Sequence, residues 1–365
     1  MSHVSTPQHS APGTPAGPGT GEAPQRKRRT GRKILIALAV VLVAAGGTGY
    51  WLYDSLDSNI KGVDLDQAIG DNRPQKQPTS GQNLLVLGSD SRSGANAALH
   101  TGQVSGARSD TALVIHIPEG RKKAVAISIP RDTLVTRPEC TGRSGKQLPS
   151  AKRVMFNSVY SVAGPACVVK TVEQMSGVRL DHFVEIDFAG FQGLVDAIGG
   201  VPVTVDRDIH DSSSGLDLKA GTTRLTGTQA LQFVRTRHGI GDGSDLGRIG
   251  LQQKFLISLL SEIKKQDLLG SPTKAYTVAD KLTQSLTTDS GLDSLTKLAE
   301  FSRSMNGVDP ETMETIMLPV RYDTQDPNRV VAADPQATQL WKAVRSDTAI
   351  PASAKKSPAR GGETP

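Results

Sequence analysis

Arginine, aspartate and small polar residues are concentrated in five short segments of this 365-residue chain. The segments are 88–92 (GSDSR), 108–111 (RSDT), 129–133 (IPRDT), 234–237 (VRTR) and 245–252 (DLGRIGLQ). Arginine presents a planar fork of donors that matches phosphate oxygens two at a time. Mg²⁺ that binds substrate phosphates is usually held by one or two protein carboxylates as well. The combination therefore predicts chemistry on a phosphate or pyrophosphate group.

The spacing within two of these segments suits a shared site. Arg235 and Arg237 are two residues apart, so an extended backbone would place both on one face. Arg248 and Gln252 are four residues apart, so a helix would place them one turn apart on one face. Each pair is thus predicted to act on one ligand.

The other segments fall at the ends of predicted strands. Asp90 and Arg131 both follow apolar runs, and ligands of open α/β sheets bind beyond the carboxyl ends of strands. Asp90 and Asp110 are predicted to hold Mg²⁺, or Mn²⁺ in its place, together with the substrate phosphates. Each residue taken singly has an ordinary alternative as a turn cap or a surface ion pair, which applies to Asp132 and Asp245 in particular.

Strands and helices alternate through the segments that carry these residues. Apolar runs predict strands at 83–88, 112–118, 124–130, 182–187, 201–205 and 315–319. Helical periodicity predicts helices at 165–177, 188–199, 226–235, 246–265, 274–285 and 292–305. This order predicts an α/β domain with one mixed sheet that is covered by helices on both faces.

The N-terminal part of the chain predicts a membrane anchor. Residues 34–53 contain no charged residue, and twenty residues of helix span roughly 30 Å, the thickness of a bilayer core. Six basic residues and one acid lie in 1–33, so that segment carries +5 of the net +6. The positive-inside rule then leaves the N-terminus in the cytoplasm and exports the rest. A cleaved signal peptide is the alternative, although its apolar region is usually shorter.

The remaining boundaries follow from composition. Residues 1–33 and 346–365 are predicted to be disordered tails, 54–81 a stalk, and 82–345 one extracytoplasmic domain whose motifs end near 265. Export also predicts that the two cysteines, Cys140 and Cys167, are bonded to each other, with two buried thiols as the alternative. The exported part carries a net charge of only about +1, which argues against nucleic-acid binding.

Taken in order, the motifs resemble the LytR–CpsA–Psr family of cell-wall glycopolymer ligases. The likeness runs from about residue 83 to 265, and a family-like continuation reaches about 344. It includes the segments described above, the DFAGF sequence at 187–191, and the glutamine pair at 252–253. The single predicted span and the exported domain also fit this family, and the Ala/Gly/Pro-rich tails are typical of an actinobacterial source.

The resemblance implies transfer of a glycopolymer from a polyprenyl-pyrophosphate carrier to peptidoglycan through a phosphodiester bond. It assigns the metal to Asp90 and Asp110, with Arg131 and Asp132 as further catalytic positions. It also implies a set of pyrophosphate-binding residues and, as in some actinobacterial relatives, a disulfide. That set is Arg92, Arg108, Arg131, Arg235, Arg237, Arg248 and Gln252. Leu251 departs from the family, where arginine is common.

The sequence leaves several alternatives open for the activity, the polymer and the roles of individual residues. Water in place of the sugar hydroxyl would make the protein a pyrophosphatase or phosphatase, and a non-catalytic protein could only bind wall precursors. Teichoic acid, capsular polysaccharide and arabinogalactan are all possible polymers. His116 is predicted to be structural, whereas His238, Asn157 and Lys152 are candidates for lining the pocket. The three phenylalanines Phe183, Phe188 and Phe191 are predicted to lie in the core or to line a polyprenyl groove.

Overall fold

The computed structural model describes residues 46–76, 78–89, 109–120, 123–236, 245–266, 271–305 and 307–360. The chain divides into two compact units, Met1–Leu52 and Tyr53–Pro365. The described residues of the first unit, 46–52, are helical. Among the described residues, no helix combines the length and apolar character needed to cross a membrane. The span predicted at 34–53 lies largely outside these residues and stays a prediction.

The second unit is built from short strands and eight labelled helices. The strands are Lys61–Val63 (β1), Gln82–Ser89 (β2), Ser109–Ile117 (β3), Val125–Ser128 (β4), Leu134–Arg137 (β5), Cys140–Thr141 (β6), Gln147–Leu148 (β7), Ala151–Met155 (β8), His182–Asp187 (β9), Val201–Val205 (β10), Ile209–Asp211 (β11), Leu216–Leu218 (β12), Gly221–Leu225 (β13), Leu286–Asp289 (β14), Glu314–Met317 (β15), Val320–Tyr322 (β16) and Val330–Ala332 (β17). The helices are Leu65–Ile69 (α1), Phe156–Ser176 (α2), Phe188–Ala197 (α3), Gly227–Arg235 (α4), Asp245–Lys265 (α5), Pro272–Ser285 (α6), Leu295–Ser304 (α7) and Gln336–Arg345 (α8).

A seven-stranded mixed sheet forms the centre of this unit. Its strand order is β1-β14-β9-β2-β3-β4-β15. β2 pairs with β9 in parallel and with β3 antiparallel, and β4 pairs with β3 antiparallel. β3 and β4 correspond to the strands predicted at 112–118 and 124–130. The predicted α/β class with a central mixed sheet is therefore confirmed, while β10 and β13 form a separate two-stranded sheet.

Alternation along the central strands buries both faces of the sheet. Val114 and Ile127 are opposite each other and belong to a core that also contains residues of α2 and α8. The next pair, Ile115 and Ala126, lies on the other face and packs with Leu256 of α5. Successive side chains of a strand point to opposite faces, so a helix is needed on each side.

The segment predicted as a stalk is part of the fold. Residues 61–63 form β1 and pair with β14 at the edge of the central sheet. Leu65 and Ile69 of α1 are buried in the main core. The side chain of Arg73 is also buried and donates to the carboxylate of Glu173 in α2. The polar composition of the segment gives no sign of this packing, because its contacts are made with residues a hundred or more positions away.

The helix predicted at 165–177 begins nine residues earlier. α2 starts at Phe156 and continues through a kink at Gly164, whose backbone has φ 77° and ψ −173°. Pro165 lacks an amide donor and disfavours helical backbone at the residue before it. Glycine alone adopts this conformation without strain. The proline therefore marks the second half of a kinked helix.

The C-terminal tail, predicted to be disordered from 346, is packed against the domain. Ala354 is fully buried in the main core. The hydroxyl of Ser357 donates to the carbonyl of Val320, and the amide of Val320 donates back to that hydroxyl. Because the tail packs through single residues such as Ala354 and Ser357, its sequence has no periodic apolar pattern that would predict the packing.

Cys140 and Cys167 form a disulfide, as predicted from the expected export. It ties the β6–β7 hairpin to α2, and 27 positions separate the two cysteines. A cross-link of this span removes loop-closure entropy from the unfolded chain worth about 3–4 kcal/mol.

We therefore expect the double variant Cys140→Ser/Cys167→Ser to lose about 3–4 kcal/mol of unfolding free energy, measured in urea without reductant. Adding reductant should lower the stability of the native chain by a similar amount and leave the double variant unchanged. Equal stability of the two proteins under oxidising conditions would contradict the structural role of this bond.

Candidate functional site

Three strands of the central sheet end at one edge with polar residues. β2 ends at Ser89, which is opposite Asp187 at the end of the parallel strand β9. β4 ends at Ser128 and has the same direction as β2, because β3 is antiparallel to both. This edge is where ligands of open α/β sheets bind.

A tight turn after β4 presents Arg131 and Asp132 at this edge. The amide and the hydroxyl of Thr133 both donate to the carbonyl of Pro130, at 3.1 and 2.6 Å. The amide of Asn157, at the start of α2, donates to the carbonyl of Arg131 at 3.0 Å. The Arg131 side chain is 18% exposed. The turn is thus fixed by its backbone, which leaves the guanidinium partly open to solvent.

Asp132 lies between two guanidinium groups. Its carboxylate is 3.5 Å from Nε of Arg131 and 3.8 Å from Nη1 of Arg329. Its carbonyl also accepts from the amide of Val330 at 3.4 Å. The geometry places Asp132 as a residue that positions Arg131. Arg329 lies outside all five motifs and was not among the predicted site residues.

Helix α5 connects the strand end of β4 to the end of α4. Gln253 donates to the hydroxyl of Ser128 at 3.2 Å, and Gln252 donates to the carbonyl of Val234 at 3.0 Å. Arg248, one turn earlier, is buried, with 3% of its surface exposed. Leu251, which departs from the pattern that the family resemblance implies, is buried in an apolar cluster with Phe255.

Arg235, the last residue of α4, lies over the start of α3. Its guanidinium carbon is 5.3 Å from the ring centroid of Phe188, a distance typical of a cation–π contact. α4 begins with a capping box. The side chain of Thr226 accepts from the amide of Gln229, and the side chain of Gln229 accepts from the amide of Thr226. Arg235 therefore reaches the same sheet edge from a second direction.

The residues of the DFAGF motif at 187–191 have structural roles in capping and packing α3. Asp187 accepts from the amide of Gly190 at 2.8 Å and caps α3. A Cβ atom on Gly190 would come within 1.8 Å of Cβ of Ser285, so only glycine permits the approach of α6. Phe183 and Phe188 are buried, and Phe191 packs against an apolar cluster, as expected for core residues.

Several predicted site residues lie outside what the structure describes. Asp90, Arg92, Arg108, Arg237 and His238 fall in the gaps, and Asp110 and Asp245 are described by their backbone only. Pairing of Gly88 with Thr111, and of Ser89 with Ser109, places the Asp110 backbone beside the end of β2. No group of three potential metal ligands occurs among the described residues.

A buried polar network lies directly beneath the end of β2. The Tyr160 hydroxyl donates to the carboxylate of Glu185 and lies 3.2 Å from Oγ of Ser89. All three residues are buried. The guanidinium carbon of Arg143 lies 4.8 Å from the centre of the Tyr160 ring. This network was not predicted, because Tyr160 has the sequence pattern of an ordinary core residue of a helix.

Burial, followed by the charge of Glu185, raises the pKa of Tyr160 to about 12. A phenol whose pKa is raised on folding contributes stability below its unfolded pKa of about 10, and this contribution is lost as the pH rises towards 12. The difference between absorbance titrations of the native chain and Tyr160→Phe should isolate one phenol with a midpoint of about 12. A midpoint near 10 would contradict the buried network.

The remaining candidate residues are either buried in structural contacts or exposed on the surface. His116 has ring nitrogens 2.9 Å from Oδ1 of Asn83 and 3.0 Å from Oδ1 of Asp347, and its burial lowers its pKa. It is therefore structural, as predicted. Asn157 is buried and touches the site turn through its backbone, whereas Lys152 is exposed.

The chain resembles cell-wall proteins along most of its length. It is 33% identical over 276 residues to the probable cell wall biosynthesis protein LcpB of Corynebacterium glutamicum, which covers 74% of this chain and 61% of LcpB. It is 30% identical over 288 residues to the polyisoprenyl-teichoic acid–peptidoglycan teichoic acid transferase TagU of Oceanobacillus iheyensis, covering 76% of this chain and 82% of TagU. The chain thus spans about three fifths of the length of LcpB.

The fold has solved counterparts as well. The LytR-Csp2A-Psr enzyme from Actinomyces oris superimposes with a TM-score of 0.57 at 24% identity, covering 78% of this chain and 95% of that one. The LytR_cpsA_psr family matches residues 52–346, which include every described part of the site. That match spans well over half of the chain, and this protein therefore belongs to the LytR_cpsA_psr family.

Proposed function

We propose that this protein transfers a glycopolymer from a polyprenyl-pyrophosphate carrier to peptidoglycan and forms a phosphodiester bond. The observation that carries the proposal is the link made by two adjacent residues of α5. Gln253 bonds the helix to Ser128, at the end of the strand that precedes Arg131. Gln252 bonds it to the carbonyl of Val234, the residue before Arg235. Arg131, Arg235 and Arg248 are thereby brought from three separate segments to one sheet edge.

The relatives support the choice of substrate. TagU is named for the transfer of teichoic acid from a polyisoprenyl carrier to peptidoglycan, and LcpB for cell wall biosynthesis. The arginines of the site suit a pyrophosphate, because each guanidinium offers paired donors to phosphate oxygens. The membrane-proximal location of the carrier would also explain the predicted span at 34–53.

In the proposed reaction, the acceptor hydroxyl oxygen bonds to the phosphorus that carries the glycopolymer. The bridging P–O bond of the pyrophosphate breaks, and the polyprenyl monophosphate leaves with the electron pair. Arg131 and Arg235 would bind and neutralise the phosphate oxygens throughout, since positioning and charge stabilisation are the main catalytic terms in phosphoryl transfer. The hydroxyl proton would pass to a carboxylate, for which Asp90 and Asp110 are the candidates.

A divalent cation is part of the proposal. The oxygen donors of Asp90 and Asp110 suit Mg²⁺ or Mn²⁺, and β2–β3 pairing brings the Asp110 backbone beside the strand that precedes Asp90. When bound, the cation would supply further neutralisation of charge at the pyrophosphate.

Removal of the cation should therefore abolish transfer. We expect EDTA to stop product formation by the native chain and added Mg²⁺ to restore it, whereas Asp90→Asn should not be restored at the same Mg²⁺ concentration. Full turnover by the metal-free protein would contradict the assignment of Asp90 and Asp110.

We also propose that the domain works outside the cytoplasm, with the N-terminus inside. Support comes from the basic cluster that precedes residues 34–53 and from the disulfide, which forms in oxidising compartments. Protease accessibility in intact spheroplasts, measured with tags at each end, would test this arrangement: only a tag after Pro365 should be removed from outside.

The direct test of the activity uses the full-length chain, a polyprenyl-pyrophosphate glycan and peptidoglycan fragments, with products followed by mass spectrometry. A phosphodiester-linked glycan supports the transferase. Glycan phosphate released without linkage would instead identify a pyrophosphatase, and binding without any product would identify a precursor-binding protein.

A further inference from the structure

A surface cavity of about 330 Å³ lies beside the turn that carries Arg131. Its walls come from β5 and the residue before it, the last turn of α2, and the first two turns of α8. The volume is at the lower end of the range for small-molecule sites, about 300–1,000 Å³. It is thus sized for a small unit of a ligand.

The cavity is tied to the site by backbone contacts. Thr133 lines it, and the same residue closes the turn through its two hydrogen bonds to the carbonyl of Pro130. Thr133 also bridges to Val330, whose amide donates to the carbonyl of Asp132. Ala332, two residues further on, lines the cavity again. A ligand in the cavity would therefore lie next to the residues that present Arg131.

The chemistry of the walls selects a neutral, polar ligand. None of the described residues that line the cavity is basic, and the single charged side chain is the carboxylate of Asp334. A phosphate or carboxylate ligand would be repelled there. Thr136 and Gln174 are exposed, so hydroxyl and amide groups are available to a ligand. A polyprenyl chain would leave these groups without partners, which is costly.

The other wall is apolar. Met175, Ala337 and Trp341 line it, and Trp341 is 4% exposed, so its indole forms part of a wall rather than a free stacking platform. Hydroxyls next to a carboxylate and an amide, with an apolar surface for a methyl group, match an N-acetylated sugar. We infer that this cavity binds one N-acetylhexosamine unit of the acceptor glycan, next to the unit whose hydroxyl reacts.

This inference rests on the proposed transferase function for its choice of acceptor, although binding can be measured without any transfer. The chain contains two tryptophans, Trp51 and Trp341. In the full-length Trp51→Phe variant, fluorescence reports on the cavity alone. The probe is the neutral disaccharide N,N′-diacetylchitobiose, and cellobiose, which differs only in lacking the two acetamido groups, is the matched control ligand.

We expect a saturable change in Trp341 fluorescence with the N-acetylated disaccharide and none with cellobiose. Thr136→Phe, which narrows the cavity at an exposed position, should weaken binding at least tenfold. Thr204→Phe places the same side chain on an exposed position of β10 that does not line the cavity, and should bind as the parent does.

The outcomes separate this inference from the proposed function. Absence of a saturable change, or equal binding by Thr136→Phe, overturns the inference even if the chain transfers glycopolymer normally. Saturable binding that Thr136→Phe weakens supports the cavity assignment even if no transfer occurs, and in that case the transferase function alone is contradicted.

Discussion

Arg131→Ala should lower the rate of glycopolymer transfer by about 10²–10³-fold, the usual cost of removing one preorganised donor from a site of developing charge. Arg131 is held by a turn whose backbone bonds do not involve its side chain. The loss should therefore appear in kcat rather than in stability. Arg131→Lys keeps the charge but removes the planar fork, so we expect it to recover only part of the activity.

The matched control is Arg303→Ala, which removes an exposed guanidinium from α7. This variant should transfer glycopolymer at the native rate and unfold at the native urea concentration. If Arg131→Ala kept near-native kcat in the same assay, the assignment of the sheet edge as the reaction site would be wrong.

Glu173→Leu should lower the free energy of unfolding by about 3–5 kcal/mol, because the buried guanidinium of Arg73 then loses its buried partner and keeps only the exposed carboxylate of Asp66. The side chains of Arg73 and Glu173 are 4% and 2% exposed. The carboxylate of Glu173 accepts from Nε and Nη2 of Arg73, with Nε shared between both oxygens, and from the amide of Leu180. Urea unfolding, monitored by circular dichroism, measures the loss.

Asp66→Ala supplies the control for this pair, since Asp66 also bonds Arg73, at 2.8 Å, but is 81% exposed. Solvent screens such a contact, so its removal should cost less than about 1 kcal/mol. The double variant Arg73→Leu/Glu173→Leu should recover much of the loss of Glu173→Leu, because no charge then remains buried. Equal losses from Glu173→Leu and Asp66→Ala would show that residues 61–73 do not pack as described.

The order of strands and helices could be predicted because each element carries a local signal. The apolar runs of β2 and β9 and the helical periodicity of α4 and α5 predicted these elements correctly to within a few residues. The motif residues at strand ends could be predicted for the same reason, since a polar residue after a buried strand stands out.

Contacts between distant segments had no such signal. The packing of residues 61–73 depends on Glu173, and the tail depends on Val320 and the main core. Tyr160 meets Glu185 only after β9 pairs with β2, and Arg329 meets Asp132 only after β17 reaches the turn at 130–133. These residues could be placed only once the sheet order was known.

In the proposed reaction, a sugar hydroxyl rather than water accepts the phosphoryl group. The most direct measurement is the transfer reaction of the full-length chain in ¹⁸O-water, with mass spectrometry of all phosphate-bearing products. A sugar acceptor should give a phosphodiester-linked glycan without ¹⁸O in its phosphate, and Arg131→Ala should not form this product. Glycan phosphate that contains ¹⁸O as the main product would show that water is the acceptor, and would contradict the proposed reaction.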